Sequence, residues 1–142
     1  MFAVVRIRGL INLTRGVKDT FALLRLHRKM HCILLADNPV NKGMIQKVKD
    51  WTTFGKINDE TLKAMIAKRG RKLGDVRLTA EETEHIFNEI KAGKKIKDLG
   101  IKPVFRLTPP SGGFKKSIKD HYPKGEVGGR GDKINDLIMR MI

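Results

Sequence analysis

The residues of this chain whose types and spacing bear on chemistry lie in the stretch Thr108-Pro-Pro-Ser-Gly-Gly-Phe-Lys-Lys-Ser-Ile-Lys119. Glycines let a backbone approach a phosphate closely, prolines hold it extended, and Lys115, Lys116 and Lys119 supply the charge that neutralises it. Phe114 and Tyr122 add flat faces suited to stacking on exposed bases. The chemistry on offer is anion binding. Gly112-Gly-Phe-Lys-Lys-Ser117 lacks the Gly-x4-Gly-Lys spacing of a nucleotide-binding loop, and Gly129-Arg-Gly131 lacks the later glycine and preceding strand of a dinucleotide fold. Gly125-Glu-Val-Gly128 matches the GXXG of a KH domain without the pair of helices that flanks it. His27 and His31 stand four apart beside Cys32, but they span a helix end into a strand and no fourth ligand follows, so no metal or cofactor is expected. Glu81, Glu82 and Glu84 share the first turn of a helix, where the macrodipole favours carboxylates without any catalytic role. No nucleophile, base and orienter combine, and no catalytic residue is assigned.

Charge sets the class of partner. Thirty lysines and arginines face fifteen acids over 142 residues, a net charge of +15. Residues 1–60 carry +6, residues 61–102 carry +5 and residues 103–142 carry +4. A reader of DNA through one element concentrates its charge there, whereas an even spread suits a chain embedded in nucleic acid on several sides. Membrane binding is disfavoured, because no basic amphipathic helix or juxtamembrane cluster is present and apolar runs such as Ile33-Leu34-Leu35-Ala36 are far short of the roughly 20 residues a spanning helix needs. With no signal-peptide layout and Cys32 as the single cysteine, no intramolecular disulfide can form, and a reducing cytoplasm is the expected compartment. A chain of this length buries about 68% of its unfolded surface, enough for a real core.

Several elements must position these cations. Residues 1–9 read as a strand: Ala3, Val5 and Ile7 alternate with Phe2, Val4, Arg6 and Arg8, which predicts Val5 and Ile7 buried against the two helices that follow in the N-terminal unit and the two arginines facing outward. Val17, Phe21, Leu24 and Arg28 predict a helix over 16–28, and Cys32 to Ala36 a buried strand. Asp37 or Asn38 caps a second helix with Pro39 in its first turn; Val40, Met44, Val48 and Trp51 form its buried stripe, with Lys42, Lys47 and Lys49 outside. Phe54 to Ile57 reads as a third strand. The pattern is a β-α-β-α-β unit, an α+β fold with two helices on one face of a three-stranded sheet. Beyond residue 60, Asn58 caps a helix carrying Leu62, Met65 and Ile66 that stops at Gly70, with Lys68, Arg69, Arg71 and Lys72 at its end. Thr79 and Glu82 form a capping box before Ile86, Phe87 and Ile90, and Gly93 ends that helix. Val104 to Leu107 is a fourth strand. Residues 109–133, with six glycines and three prolines, form a basic loop expected to be mobile in the free protein, and Ile134, Leu137, Ile138 and Met141 a terminal helix that docks.

The opening Val4-Val-Arg-Ile-Arg-Gly9, the segment Asp19-Thr-Phe-Ala-Leu-Leu-Arg-Leu-His-Arg28, Asn38-Pro-Val-Asn-Lys-Gly-Met44 and Lys47-Val-Lys-Asp50 closely resemble the large-subunit ribosomal protein family numbered thirty. Phe105-Arg-Leu-Thr-Pro-Pro-Ser-Gly-Gly-Phe-Lys115 and Gly125-Glu-Val-Gly-Gly-Arg-Gly-Asp-Lys-Ile-Asn-Asp-Leu-Ile138 are similar to the extension of its archaeal and eukaryotic branch, whose eukaryotic members bear the number seven. The resemblance implies residues 1–60 as the β-α-β-α-β core, antiparallel with its first strand central, and 61–142 as the extension. It implies a non-enzymatic structural constituent of the large ribosomal subunit, in the cytoplasm, that takes no small-molecule substrate. Its partners would be large-subunit ribosomal RNA, with the five-S RNA as a second candidate, and neighbouring ribosomal proteins. Thr108 and Ser111 depart from the family pattern, which leads one to expect a histidine or another RNA-contacting side chain before the two prolines and an arginine after them. Carried over by position, the RNA-binding candidates are Arg6, Arg8, Arg15, Arg28, Lys42, Lys47, Arg106, Lys115, Lys116, Lys119 and Arg130. An RNA-processing or ribosome-maturation factor on a similar scaffold is the alternative reading, and a DNA-compacting protein a third.

Overall fold

The computed structural model describes all 142 residues. Phe2–Arg6 forms β1, Arg15–Leu23 α1, His31–Leu35 β2, Pro39–Val48 α2 and Thr52–Lys56 β3. β1 is central and antiparallel to both neighbours, with Ala3 opposite Leu34 on one side and Gly55 on the other. The chain continues through α3 (Asp59–Arg69), α4 (Ala80–Lys91), β4 (Val104–Arg106), β5 (Gly128–Gly129) and α5 (Ile134–Met141). β4 pairs antiparallel with β2, and β5 pairs parallel with β3. The sheet therefore has five strands in the order β4-β2-β1-β3-β5, two more than the N-terminal unit alone supplies.

Both faces of this sheet are covered. Alternation turns Val4 and Ile33 to one face, where α1 and α2 close over them with Val17, Phe21, Ile45 and Val48. Ala3, Val5 and Cys32 turn to the other, beneath Leu62, Met65 and Ile66 of α3, Ile86 and Ile90 of α4, and Ile134, Leu137 and Ile138 of α5. The structure thus overturns the expectation that Val5 packs under the two N-terminal helices and Arg6 points to solvent. Arg6 is 1% exposed, on the α1 side. Alternation says which residues share a face, not which helices will cover it, and here the extension supplies a second helical layer.

Local signals set most element ends. The Asn58 side chain accepts from the Thr61 amide at 2.9 Å and starts α3. Thr79 and Glu82 reciprocate at 3.4 and 3.0 Å at the start of α4, a closed capping box. α1 ends at Leu23, short of the expected residue 28, with Arg25 in a left-handed conformation at φ 57°. In α2 the buried pair is Ile45 and Val48, and Val40 is 72% exposed. At 100° per residue Val40 lies roughly 110° around the helix from that pair, so it turns away from the sheet.

The extension is fastened to the core by close packing. An eight-residue helix is not stable alone, yet α5 buries Ile134, Leu137, Ile138 and Met141, each contributing about 1.5–3 kcal/mol. Asn135 donates to the carbonyls of Lys56 and Asp132 at 3.1 and 2.8 Å and accepts from the Asn58 amide at 3.0 Å. Gly55 permits the approach: a Cβ there would lie 2.0 Å from the Gly131 carbonyl oxygen.

Candidate nucleic-acid interface

Nine of the thirty lysines and arginines have a carboxylate partner, leaving the rest as uncompensated charge. Arg15 opens α1 and is exposed, as is Arg28 in the turn before β2. Lys42 and Lys47 stand on the outer side of α2, Lys42 paired with Asp37 at 2.6 Å. That bond from Lys42 holds the Asp37 carboxyl below its usual range. Arg8 is half-buried and donates to the Asp50 carbonyl at 3.1 Å. Lys115, Lys116 and Lys119 are exposed within one short stretch.

Two of the sequence-derived candidates are not surface cations. The Arg6 guanidinium sits over the Phe21 ring, 4.5 Å from its centroid, and donates to the carbonyls of Leu26 at 2.6 Å and Arg8 at 2.9 Å. Burial lowers its pKa, and it faces no phosphate-accessible surface. The Arg130 side chain is 8% exposed. It ion-pairs with the equally buried Glu126 and donates to the Thr53 hydroxyl at 2.8 Å, locking β5 to β3. Its partner Glu126 was not visible as such in the sequence, although an acid four residues before an arginine in a glycine-rich stretch is the signal. Phe114 and Tyr122, expected to offer stacking faces, have protein partners instead. Phe114 packs against the C-terminal core, and the Tyr122 ring is flanked by Lys116 and Arg130 at 5.6 and 5.2 Å.

The loop that carries the lysines is tied along its length. Arg140 donates to the Ser111 carbonyl at 2.7 Å and also to that of Gly113. The Lys116 amide donates to Glu126 at 3.0 Å, and the Glu126 amide to the Ser117 carbonyl at 2.9 Å. Thr108 is occupied internally: its hydroxyl donates to the Met141 carbonyl at 2.9 Å and accepts from Arg69 at 3.2 Å. Gly125 to Gly128 is wholly buried, a packed strand approach and not an open clamp.

Cys32 and His31 diverge across the sheet. The Cys32 thiol lies in the core under α3 to α5, with burial pushing its pKa up to about 12. His31 sits on the other face opposite Arg106 in register, and its pKa is lowered by burial and then by Arg106, Arg28 and His27. Arg28 and Arg106 therefore converge on one imidazole at the β4 edge of the sheet. Beside them lies a cleft of about 240 Å³ lined by Arg69, Arg71, Asp75, Lys102, Val104 and Arg106. Of its four cations only Arg106 was among the sequence-derived candidates. The run Lys68 to Lys72 was visible, but its meeting with residues 102–106 depends on the sheet.

An α+β protein whose surface bears mostly unpaired cations, spread over its outer helices, its loops and one sheet edge, is built to lie against a polyanion. The family model for "Ribosomal protein L30p/L7e" matches residues 2–52. Relatives matching over nearly the full length include proteins named "Large ribosomal subunit protein uL30". The one from Archaeoglobus fulgidus is 45% identical over 99% of both chains, as is that from Methanococcus maripaludis strain C5. The one from Staphylothermus marinus is 43% identical over 100% of this chain and 98% of its own. The chain belongs to the ribosomal protein L30p/L7e family, and it is similar to the archaeal members named uL30 along its extension as well as its core.

Proposed function

We propose that this protein is a structural, non-enzymatic constituent of the large ribosomal subunit that holds ribosomal RNA in place by backbone neutralisation. The carrying observation is the full-length likeness to large-subunit proteins, which extends through the basic loop and α5. Exposed Arg15, Arg28, Lys42, Lys47, Arg106, Lys115, Lys116 and Lys119, with half-buried Arg8, are the side chains available to phosphates. Phosphate contacts of this kind position a protein without reading sequence, so specificity comes from RNA shape. Residues 1–60 are taken as the core and 61–142 as an extension that widens the RNA-facing surface. Neighbouring ribosomal proteins and the five-S RNA are further candidate partners.

Sedimentation of a cell lysate tests this. The protein should travel with large subunits and full ribosomes in low salt, be absent from small subunits, and be released by RNase but not DNase. A pool confined to the top of the gradient would refute the assignment.

A further inference from the structure

The cleft at the β4 edge holds more positive charge than the protein around it neutralises. Arg69 comes from the last turn of α3, Arg71 from the short ribbon after it, and Lys102 and Arg106 from the strand entering and leaving β4. Backbone pairing fixes this meeting: the Lys102 amide donates to the Arg71 carbonyl at 2.8 Å, and Lys72 bridges to Ile101. Against these four cations stands a single carboxylate. The Lys72 amide closes a turn on the Val76 carbonyl at 2.9 Å, and Gly74 and Asp75, at φ 96° and 65°, swing the Asp75 side chain back over the cleft. There it meets Lys102 at 2.6 Å and Arg106 at 3.8 Å.

The donors are only partly used. Arg69 gives one N–H to the Thr108 hydroxyl, while its Nε is buried without a partner, as is Arg71 Nη1. The C-terminal end of α3 favours cations through its dipole, but an effective half charge does not offset a surplus of three. A phosphate group does: it brings more oxygens than a carboxylate, arranged tetrahedrally, and arginine forks match it two bonds at a time.

We propose that this cleft is a phosphate seat, in which Asp75 holds the place of a phosphate until one arrives. Whose phosphate it is rests on the RNA-binding reading above, and a backbone phosphodiester is the source that reading favours. The seat itself does not depend on it. On docking, Asp75 gives up Lys102 and Arg106 to the incoming phosphate and swings to solvent, to which its turn is already exposed.

Pyrophosphate is the direct probe, added to the full-length protein at ionic strength matched with sodium chloride. Wild type should show a melting temperature that rises with pyrophosphate concentration. R71Q/K102Q should lose that rise while melting at or above the wild-type temperature without ligand, because two repelling charges are gone. D75N should show the rise at about fivefold lower pyrophosphate, since the anion no longer has to displace a carboxylate from Lys102 and Arg106. No rise in wild type, or an undiminished rise in R71Q/K102Q, overturns the proposal. A mixed-sequence RNA duplex then distinguishes the sources. If R71Q/K102Q flattens the slope of log K against log salt by about 0.7–0.9 for each phosphate no longer neutralised, the seat takes backbone phosphate. If the slope is unchanged while the pyrophosphate response is abolished, the seat stands for free phosphates and the RNA reading must rest on other cations.

Discussion

Replacing Arg6 by alanine should cost the fold about 2–4 kcal/mol, a large fraction of the stability of a domain this size. The guanidinium donates to two main-chain carbonyls, at 2.6 Å to Leu26 and 2.9 Å to Arg8, and bonds from a charged donor contribute about 1.5–3 kcal/mol each. Its stacking on Phe21 adds about 0.5–2 kcal/mol. Against this, alanine removes a buried charge with no carboxylate partner, which returns several kcal/mol of desolvation. The net loss stays positive because the Leu26 carbonyl is left buried and unbonded, at about 1–3 kcal/mol, and a cavity opens beside Phe21. R6M fills that cavity without restoring the bonds and should be about 1 kcal/mol more stable than R6A. Urea denaturation of the three proteins measures both differences, and filter binding to ribosomal RNA measures the functional side. The reasoning fails if R6A unfolds at the wild-type urea concentration while RNA affinity drops, because that is the behaviour of an exposed cation.

Glu126→Ala and Arg130→Ala should each destabilise by about 3–5 kcal/mol, with the double variant losing less than their sum, because each single change strands a buried charge; additive losses in thermal melts would show that the pair is not coupled. Changing Lys115, Lys116 and Lys119 together to alanine should leave the melting temperature nearly unchanged yet flatten the salt slope of RNA binding by about 0.7–0.9 for each phosphate these lysines neutralise; an unchanged slope would make the loop a passive linker. Cys32 gives a pH signature: its thiol is raised from 9.0 to about 12 in the fold, so the unfolded chain releases its proton first and stability falls as pH rises above 9. Relative to C32A, wild type should lose about 1.4 kcal/mol per pH unit in that range, and parallel pH profiles would mean the thiol is open to water.

Much of this architecture was legible locally. Asn58 and Thr79 with Glu82 announce helix starts through bonds to residues three away, the Ile134–Met141 periodicity announces the buried face of one short helix, and each is found as read. What was not legible depends on distant partners. Arg6 looks like a surface cation because two arginines alternate with valine and isoleucine, and nothing nearby reveals that Phe21 and the Leu26 carbonyl will enclose it. Arg130 reads as one more basic residue until β5 places it beside Glu126 and Thr53. The mispositioned Val40 is a different failure, since its own helix held the answer: Ile45 and Val48 define a better stripe than the one counted from the first residue.

The location of the charge follows from how the core is shared. Ala3, Val5 and Cys32 leave one face of the N-terminal sheet apolar, and only the extension carries side chains to cover it. Covering it draws α3, α4 and α5 onto that face, and the chain entering and leaving them adds β4 and β5 at opposite edges. Each edge strand then fixes an arginine. Arg130 is turned inward by Glu126 and becomes structural, whereas Arg106, with Asp75 only at 3.8 Å, remains outside beside Arg69, Arg71 and Lys102. Burying an apolar face thus leaves the surplus cations at a sheet edge, where a charged side chain also discourages strand-to-strand aggregation and where a rigid backbone can present them to a phosphate.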